Sequence, residues 1–264
     1  MQITAKKSLG QNFLNNPMVP AAMVAAGKLV ADDVVLEIGP GTGALTKPLL
    51  AIGVRVVAVE ADERAVEVLR EMFQKEIASK QLTLLHADVR EYLTGNLAEL
   101  PEKYTVVANI PYYLSGFLFR TLLEHKRLPK TIVFLIQKEL AERIARDKKE
   151  SLLSLSIKAF GDPKYIKTVK RGNFSPSPKV DSAIIAVHNI TNDTFTTLDR
   201  TKFFELLHLG LGGKRKQLLG ALAKTYSRET LEAIFSGLNF IPTVRGEDLN
   251  ITQWTNLAKE LFQS

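Results

Sequence analysis

The sequence predicts an α/β fold: a Rossmann-like, mostly parallel sheet with an antiparallel edge hairpin, followed by a small all-helical C-terminal domain. Three observations support this prediction. Five apolar, β-branched runs alternate with helical patterns, two further strand-like runs have no helix between them, and the chain after residue 200 is helical throughout. Runs that are apolar on both faces suit parallel strands covered by helices. Strand–helix alternation indicates a doubly wound sheet.

The predicted elements follow in order along the chain. The strands are 34–39, 54–60, 82–88, 104–110 and 131–137, with 165–170 and 182–188 as the hairpin. Helical patterns follow the first, second and fourth strands, and the second pattern covers 63–78. A proline-bearing loop joins the two hairpin strands, and the polar stretch 189–200 is expected to be a linker. We therefore predict two domains, 1–190 and 191–264.

Composition excludes several classes of protein. The chain has 264 residues, of which 45% are hydrophobic and 24% charged, so disordered and fibrous classes are excluded. With no cysteine, it lacks disulfides, thiolate catalysis and cysteine-bound metal. Its four scattered histidines show no metal-ligand spacing, so no metal site is expected. Because no apolar run reaches ~18 residues and the start lacks a secretory pattern, we expect a soluble, cytoplasmic protein with no membrane partner.

The charge is unevenly distributed. Residues 1–100 carry 10 basic and 12 acidic side chains, whereas residues 101–264 carry 25 and 16. The two parts therefore have net charges of −2 and +9, within a total of +7. A basic region beside a mildly acidic one favours an anionic partner such as nucleic acid, and solubility alone is the alternative.

A glycine-rich loop follows the first predicted strand. In LEIGPGTGALT, the residues Gly39, Gly41 and Gly43 form a G-x-G-x-G pattern that ends a strand and opens a helix. Glycines there let the backbone turn sharply and approach a ligand closely. The alternative is a purely structural turn. Nicotinamide dinucleotide sites usually have G-x-G-x-x-G, whereas G-x-G-x-G after an acidic residue, here Glu37, is typical of S-adenosylmethionine sites.

Carboxylates stand at the ends of the next two strands. Glu60 ends the second strand, where it would accept hydrogen bonds from both ribose hydroxyls of a nucleotide-like ligand. Asp62 is the weaker rival for this role. Asp88 ends the third strand and would accept from an adenine amino group. Solvated strand-end acids are the alternative interpretation for both positions.

The fourth strand ends in ANIPYYLS, and ligand crevices of open α/β sheets lie at such strand ends. Pro111 fixes its own φ and holds Ile110 extended. This aims the Asn109 side-chain oxygen and the Ile110 carbonyl into one crevice, where two acceptors suit an exocyclic amine such as adenine N6. Tyr112 offers a face on which an extruded base can stack. A capped turn with a core tyrosine is the alternative.

A second aromatic residue lies in the proline-stiffened loop NFSPSPKVD. Phe174 is expected to close on the other face of the same base, with a core phenylalanine as the alternative. Nearby basic side chains are candidates for phosphate binding or for a solvated edge strand: Lys164, Lys167, Lys170, Arg171 and Lys179.

Taken together, these motifs resemble the ribosomal RNA adenine N6,N6-dimethyltransferases. The resemblance runs from Lys7 to about Phe262 and rests on five segments: LGQNFL (9–14), EIGPGTGALT (37–46), NIPYYLS (109–115), IQKELAERI (136–144) and FSPSPKVDSA (174–183). It implies a class I methyltransferase sheet, S-adenosyl-L-methionine as cofactor and a monomer. The implied substrate is a pair of adjacent adenosines in a hairpin loop near the 3′ end of small-subunit rRNA, in the RNA or the pre-small ribosomal subunit. Each adenosine would receive two methyl groups.

The resemblance also implies residue roles. Asn12 and Leu14 would fold over the methionine end of the cofactor. The other cofactor contacts would be Gly39, Gly41, Gly43, Glu60, Asp88 and Asn109, and the catalytic group would be Asn109, Ile110, Pro111, Tyr112 and Phe174. The basic C-terminal region would help to dock on the ribosome.

Two segments depart from the family pattern. In LGLGGKRKQLLGAL (209–222), Leu211 replaces an aromatic residue, Lys214 an arginine and Gly220 an asparagine, and a Tyr-Gly pair is missing near ESLLSLSIKAF. Lysine keeps the charge of arginine but loses its bidentate fork. These changes concern RNA docking and leave the cofactor site intact.

Two alternative functions stay open from the sequence. One is a large-subunit rRNA methyltransferase of the macrolide-resistance type, which shares NIPY and the proline loop. The other is a non-enzymatic ribosome assembly factor. A nicotinamide dinucleotide enzyme is excluded by the glycine spacing and by the lack of a hydride-transfer partner residue.

Overall fold

The computed structural model describes residue 6 and residues 10–213 and 216–262. The strands are Phe13–Leu14 (β1), Val34–Ile38 (β2), Arg55–Glu60 (β3), Leu82–His86 (β4), Thr105–Asn109 (β5), Thr131–Gln137 (β6), Asp162–Val169 (β7), Phe174–Ser175 (β8) and Ser182–His188 (β9). The helices are Met18–Ala26 (α1), Thr46–Ala51 (α2), Glu63–Met72 (α3), Gln74–Ala78 (α4), Val89–Tyr92 (α5), Ser115–Glu124 (α6), Lys138–Ala145 (α7), Leu152–Lys158 (α8), Arg200–Leu211 (α9), Leu218–Leu222 (α10), Arg228–Gly237 (α11) and Ile251–Phe262 (α12). Within these ranges no helix is long and apolar enough to cross a membrane.

Seven strands form the main sheet in the order β4-β3-β2-β5-β6-β9-β7. The first five are parallel, and β9 pairs antiparallel with both β6 and β7. The predicted Rossmann-like fold with an antiparallel edge hairpin is confirmed. The chain proceeds outward from β2 through β3 to β4, then returns to the other side of β2 as β5. This reversal of strand order opens a crevice at the carboxyl ends of β2 and β5.

The apolar character of the central strands follows from their burial. Every residue of β2 is buried, as are all but the first residue of β3 and all but the last of β5 and of β6. Successive side chains point to opposite faces of the sheet, and helices cover both faces. The strands are therefore apolar throughout and do not alternate with polar residues. The edge strand β7 instead alternates exposed and half-buried residues, because one of its faces meets water.

A second, two-stranded sheet was not predicted from the sequence. β1 pairs antiparallel with β8, with Phe13 opposite Ser175 and Leu14 opposite Phe174. The pairing continues in a backbone hydrogen bond of 3.0 Å from the Asn15 N–H to the Asn173 carbonyl. The short sheet therefore ties the N-terminal segment to the proline-bearing loop that precedes β9.

The chain divides into two compact units. One comprises Met1–Ala141 and Asp162–Ile190, and the other Glu142–Gly161 and Thr191–Ser264. One division falls between residues 190 and 191, and 142–161 belongs to the second unit. The reason is local packing, since α8 lies against α9 and the Thr191 N–H donates to the Phe160 carbonyl at 2.9 Å.

The second unit is built around Trp254 on α12. Its ring is fully buried, and its indole N–H donates to the carbonyl of Gly246 at 3.1 Å. Gly246 in turn lies against α9, since a Cβ placed there would sit 2.5 Å from the carbonyl oxygen of Gly210. Such a close approach of two backbones is possible only without side chains.

Replacing Gly246 by alanine should therefore destabilise the second unit. The new methyl group meets backbone that cannot move without disturbing α9, so we expect a loss of about 1–3 kcal/mol in unfolding free energy. Gly220→Ala on α10 is the matched control, because no atom of another element lies within 4 Å of its Cβ position. That variant should be neutral or gain up to about 1 kcal/mol. Urea unfolding followed by tryptophan fluorescence measures both, and equal stability of the two variants would contradict the packing argument.

Candidate functional site

A cavity of about 150 Å³ opens at the carboxyl ends of β2, β3 and β5. Ten of the predicted site residues line it: Asn12, Gly39, Gly41, Glu60, Asp88, Asn109, Ile110, Pro111, Tyr112 and Phe174. Leu14 lines a smaller neighbouring cavity of about 30 Å³, which also touches Gly39 and Asn109. Gly43 belongs to neither lining among the described residues. The crevice expected from the strand order therefore collects nearly all of the predicted side chains.

The three glycines of the loop after β2 have different surroundings. All have positive φ, at 66° for Gly39, 56° for Gly41 and 76° for Gly43. A Cβ at Gly39 would meet nothing within 4 Å, so its backbone is open toward the cavity. At Gly43 a Cβ would lie 2.8 Å from the ring of Phe73. Phe73 lies between α3 and α4, which the sequence predicted as one helix. Because its ring fills the space beside Gly43, a side chain at Gly43 would disturb this packing.

Glu60 is a buried carboxylate held by two backbone donors. Its Oε2 accepts from the Gly41 N–H and its Oε1 from the Asp62 N–H, each at 2.9 Å. Each oxygen keeps a further lone pair, so the carboxylate can still accept from ribose hydroxyls. These two hydrogen bonds link the glycine loop to the end of β3. They also fix the carboxylate that is predicted to bind the ribose.

Asp62, the rival for this role, is engaged elsewhere. It caps α3 and forms an ion pair with Arg64, with 2.6 Å between Oδ2 and Nη2. The same oxygen accepts from the Gln11 amide at 3.2 Å. Mainly because of the Arg64 hydrogen bonds, the pKa of Asp62 lies far below its usual range. Asp62 is therefore paired outside the cavity lining, whereas Glu60 belongs to that lining.

Asp88 caps α5 by accepting from the Arg90 backbone N–H at 2.8 Å. The Arg90 guanidinium also holds this carboxylate, with 2.5 Å between Nη2 and Oδ2. This hydrogen bonding lowers the pKa of Asp88 and keeps the side chain ionised. Arg90 lines the cavity as well, and sequence reasoning missed it because a single exposed arginine after a strand carries no distinctive pattern.

Asn109 lies at the end of β5, facing the N-terminal segment. Its Nδ2 donates to the carbonyl of Asn12 at 3.2 Å. This orients the amide so that Oδ1 is the group left to accept from a ligand. Ile110 is buried, and Pro111 has φ −57° and ψ 131°.

Tyr112 is half-buried, and its hydroxyl shares a hydrogen bond of 2.7 Å with that of Ser182. Ser182 is the fully buried first residue of β9. Burial raises the pKa of Tyr112, so the ring stays neutral. The serine of KVDSA thus anchors the tyrosine of NIPYY, a contact that sequence reasoning missed because the two residues are far apart in the chain.

Phe174 is buried in β8, opposite Leu14, and packs within the apolar core of its unit. It also lines the cavity, with Tyr112 among the other lining residues. In this conformation its ring is a wall of the cavity. Its predicted role as a second stacking face remains a prediction.

Comparison with known proteins identifies the family. The sequence profile described as Ribosomal RNA adenine dimethylase matches residues 2–263. The chain is 34% identical to Ribosomal RNA small subunit methyltransferase A of Dehalococcoides mccartyi, over 98% of this chain and 89% of that protein. It is 33% identical to the protein of the same name from Bacillus mycoides, over 97% and 91%. The chain belongs to the ribosomal RNA adenine dimethylase family.

Solved structures similar to this dimethylase include two RNA-modifying enzymes. A dimethyladenosine transferase from Plasmodium falciparum aligns with a TM-score of 0.77 and 25% identity, covering 95% of this chain and 98% of that one. The 23S rRNA methyltransferase ErmE aligns with a TM-score of 0.76 and 25% identity, covering 95% and 99%. The similarity extends over nearly the whole of each chain.

A further carboxyl group with unusual surroundings is that of Glu37, near the end of β2. It is fully buried and lines the smaller cavity, and neither oxygen has a hydrogen-bond partner among the described residues. Burial, with a smaller contribution from the charge of Glu60, raises the pKa of Glu37 to about 8, although the nearby Thr46 hydroxyl opposes the shift. A buried carboxyl without such partners favours its neutral form unless a cationic group lies beside it.

The raised pKa makes stability depend on pH. The folded protein keeps the Glu37 proton up to about pH 8, whereas the unfolded chain releases it near 4.5. Stabilisation by the neutral form is therefore complete below pH 4.5 and is lost as the pH rises to about 8. Compared with the Glu37→Gln variant, the ligand-free protein should lose about 1.4 kcal/mol of unfolding free energy for each pH unit across this window. Urea unfolding at several pH values tests this, and a difference that stays constant with pH would contradict it.

The Tyr112–Ser182 hydrogen bond should hold the Tyr112 ring in position for substrate. We expect Tyr112→Phe and Ser182→Ala each to lower kcat about 2- to 10-fold, with little change in cofactor affinity. Because both substitutions break the same contact, the double variant should be no worse than the poorer single variant. Ser182→Thr, which keeps the hydroxyl, should retain most of the activity. Losses that multiply in the double variant would show that Ser182 acts independently of Tyr112.

Proposed function

We propose that this protein transfers methyl groups from S-adenosyl-L-methionine to N6 of two adjacent adenosines near the 3′ end of 16S rRNA, giving N6,N6-dimethyladenosines. The observation that carries the proposal is the placement of Asn109, Ile110, Pro111 and Tyr112 in the same cavity as the glycine loop and Glu60. Acceptors for an amine, a stacking ring and a nucleotide-like site thus lie side by side. The relatives of 33–34% identity, named as small-subunit methyltransferases, favour this rRNA over the large-subunit alternative.

The residues present fit the cofactor. S-adenosylmethionine supplies a methyl group on a positively charged sulfur. The Glu37 carboxyl keeps its proton in the ligand-free protein and would ionise beside such a cation. The open backbone at Gly39 allows close approach. Glu60 would hold the ribose hydroxyls, Asp88 the adenine amino group, and Asn12 and Leu14 the methionine end.

The chain's own residues would act on the adenosine. Asn109 Oδ1 and the Ile110 carbonyl accept the two N6–H groups and direct the nitrogen lone pair toward the methyl carbon. When bound, S-adenosyl-L-methionine would supply the methyl group and its sulfur would keep the electron pair of the bond to that group. N6, having gained the methyl group, would give one proton to solvent. A second round uses the remaining N6 proton, so rate depends chiefly on positioning and not on a strong base.

Docking, oligomeric state and location complete the proposal. The chain would act as a monomer in the cytoplasm, and the helical C-terminal part would contribute to binding the small subunit. Two family departures lie in helices of that part, with Leu211 ending α9 and Gly220 within α10. The third, Lys214, lies outside the described residues. On the first unit, Lys164 and Lys167 of the edge strand β7 are further candidates for phosphate contacts.

The direct test uses labelled S-adenosylmethionine with unmethylated small subunits and, separately, unmethylated large subunits. We expect label in dimethyladenosine from the small subunit alone. Label in large-subunit RNA would assign the enzyme to the resistance type. Binding of cofactor without labelling of either subunit would identify a non-enzymatic assembly factor.

The role of Asn109 has its own test. Asn109→Ala removes the acceptor from N6, and turnover should fall about 100-fold or more. Cofactor binding by calorimetry and thermal unfolding show whether the site and fold survive. Asn96→Ala, an exposed asparagine in the loop between α5 and β5, is the matched control and should keep wild-type turnover. Substantial activity in Asn109→Ala would remove Asn109 from the catalytic group.

A further inference from the structure

A row of exposed residues runs outward from the catalytic segment along α6. Tyr113 is 65% exposed and Phe117 38% exposed, although large aromatic rings are usually buried. Gly116 and Arg120 are exposed on the same face, because residues three and four apart are neighbours on a helix. We name Tyr113, Gly116, Phe117 and Arg120 the α6 stripe.

The α6 stripe begins at the cavity itself. Tyr113 follows Tyr112 directly and is one of the lining residues, while most of its ring faces solvent. The edge of the ring lies against Gly10, where a Cβ would sit 3.2 Å from Tyr113 Cε1. The ring is therefore supported on one side and open on the other. A molecule that places one group in the cavity can continue onto the stripe without leaving the surface.

Gly116 has no structural reason to be glycine. Its φ is not positive, and a Cβ there would meet no atom of another element within 4 Å. Alanine would favour the helix by about 1 kcal/mol. The missing side chain instead leaves the helix surface open at this position. A flat group can approach the helix closely there.

Two exposed arginines, each paired to a carboxylate, border the stripe. The Arg120 side chain is 76% exposed and ion-paired to Glu124 at 3.0 Å, one turn further on. Exposed pairs of this kind contribute little stability, so the guanidinium is available to a phosphate. Arg90, at the other end, is 61% exposed and close enough to Tyr113 to interact with it electrostatically.

We propose that the α6 stripe binds the unpaired nucleotides that flank the target adenosine, with bases stacked on Tyr113 and Phe117 and a phosphate on Arg120. This inference rests on the proposed function, since it extends the binding site of the same RNA. Four residues of helix rise about 6 Å, more than the roughly 3.4 Å between stacked nucleotides. The two rings therefore suit an extended single strand. Aromatic faces that accept any base are the usual platform for single-stranded RNA.

The test compares variants of Phe117, which lies outside the cavity. Phe117→Ala should raise KM for the rRNA substrate about 5- to 100-fold, with cofactor affinity and melting temperature unchanged. Phe117→Tyr keeps a ring and should behave as wild type, whereas Phe117→Leu keeps apolar bulk and should be impaired like alanine. Met72→Ala, another exposed apolar residue of the same unit at 53% exposure, is the control and should leave KM unchanged.

Several results would overturn the inference while the proposed function stands. One is an unchanged KM for Phe117→Ala in an enzyme whose wild type methylates the small subunit. Another is full activity of Phe117→Leu, which would indicate a simple apolar contact. Loss of activity on assembled subunits with unchanged affinity for a short RNA containing the target hairpin would assign the stripe to a protein partner. Absence of methylation by the wild type would instead count against the proposed function.

The phosphate contact has a separate measurement. Arg120→Gln should reduce the slope of log affinity against log salt concentration for the hairpin RNA by about 0.7 to 1, as expected for one lost phosphate contact. Gly116→Gln, which places a long side chain on the open helix surface, should weaken RNA affinity by at least about threefold. An unchanged salt slope together with an unaffected Gly116→Gln would remove both residues from the RNA path.

Discussion

The reversal of strand order between β2 and β5 is the constraint on which the site depends. Parallel strands end at one edge of the sheet, and helices cover both sides everywhere except where the order reverses. Because β3 follows β2 on one side and β5 returns on the other, the ends of all three strands border the same gap. Glu60 and Asn109 thus face one cavity although they are far apart in sequence. No loop has to be long to bring them there.

Buried polar groups are tolerated in this gap because most are paired. Glu60 receives two backbone N–H groups, and Asn109 donates to the Asn12 carbonyl, so their desolvation is offset by hydrogen bonds. Glu37 differs from these groups, since within the described part of the chain both of its oxygens lack such partners, as does the nearby Thr46 hydroxyl. A carboxyl in that condition favours its neutral form until a cation arrives. Stability of the empty site and affinity for a cationic ligand therefore oppose each other at this residue.

Patterns within single segments made most of the fold predictable. Continuous apolar runs identified β2 to β6, and the missing helix between the last two strands identified the antiparallel edge. The glycines, Glu60, Asp88 and Asn109 were predictable because each follows a strand. The β1–β8 pair was not, because two-residue strands carry no period and pairing across distant segments leaves no local signal. For the same reason the Ser182 contact of Tyr112 and the grouping of 142–161 with the second unit required the structure.

The β1–β8 pairing also sets when the protein becomes competent during its own synthesis. Asn16 and Asn173, which share a side-chain hydrogen bond of 2.7 Å next to this pairing, stand 157 positions apart. The ribosome adds about 5–20 residues per second, so the amino-terminal segment waits on the order of ten seconds for its partner to emerge. Asn12, which meets Asn109, lies in that waiting segment. A nascent chain that already holds β2 to β6 therefore still lacks Phe174, which lines the same cavity as Asn12 and Asn109.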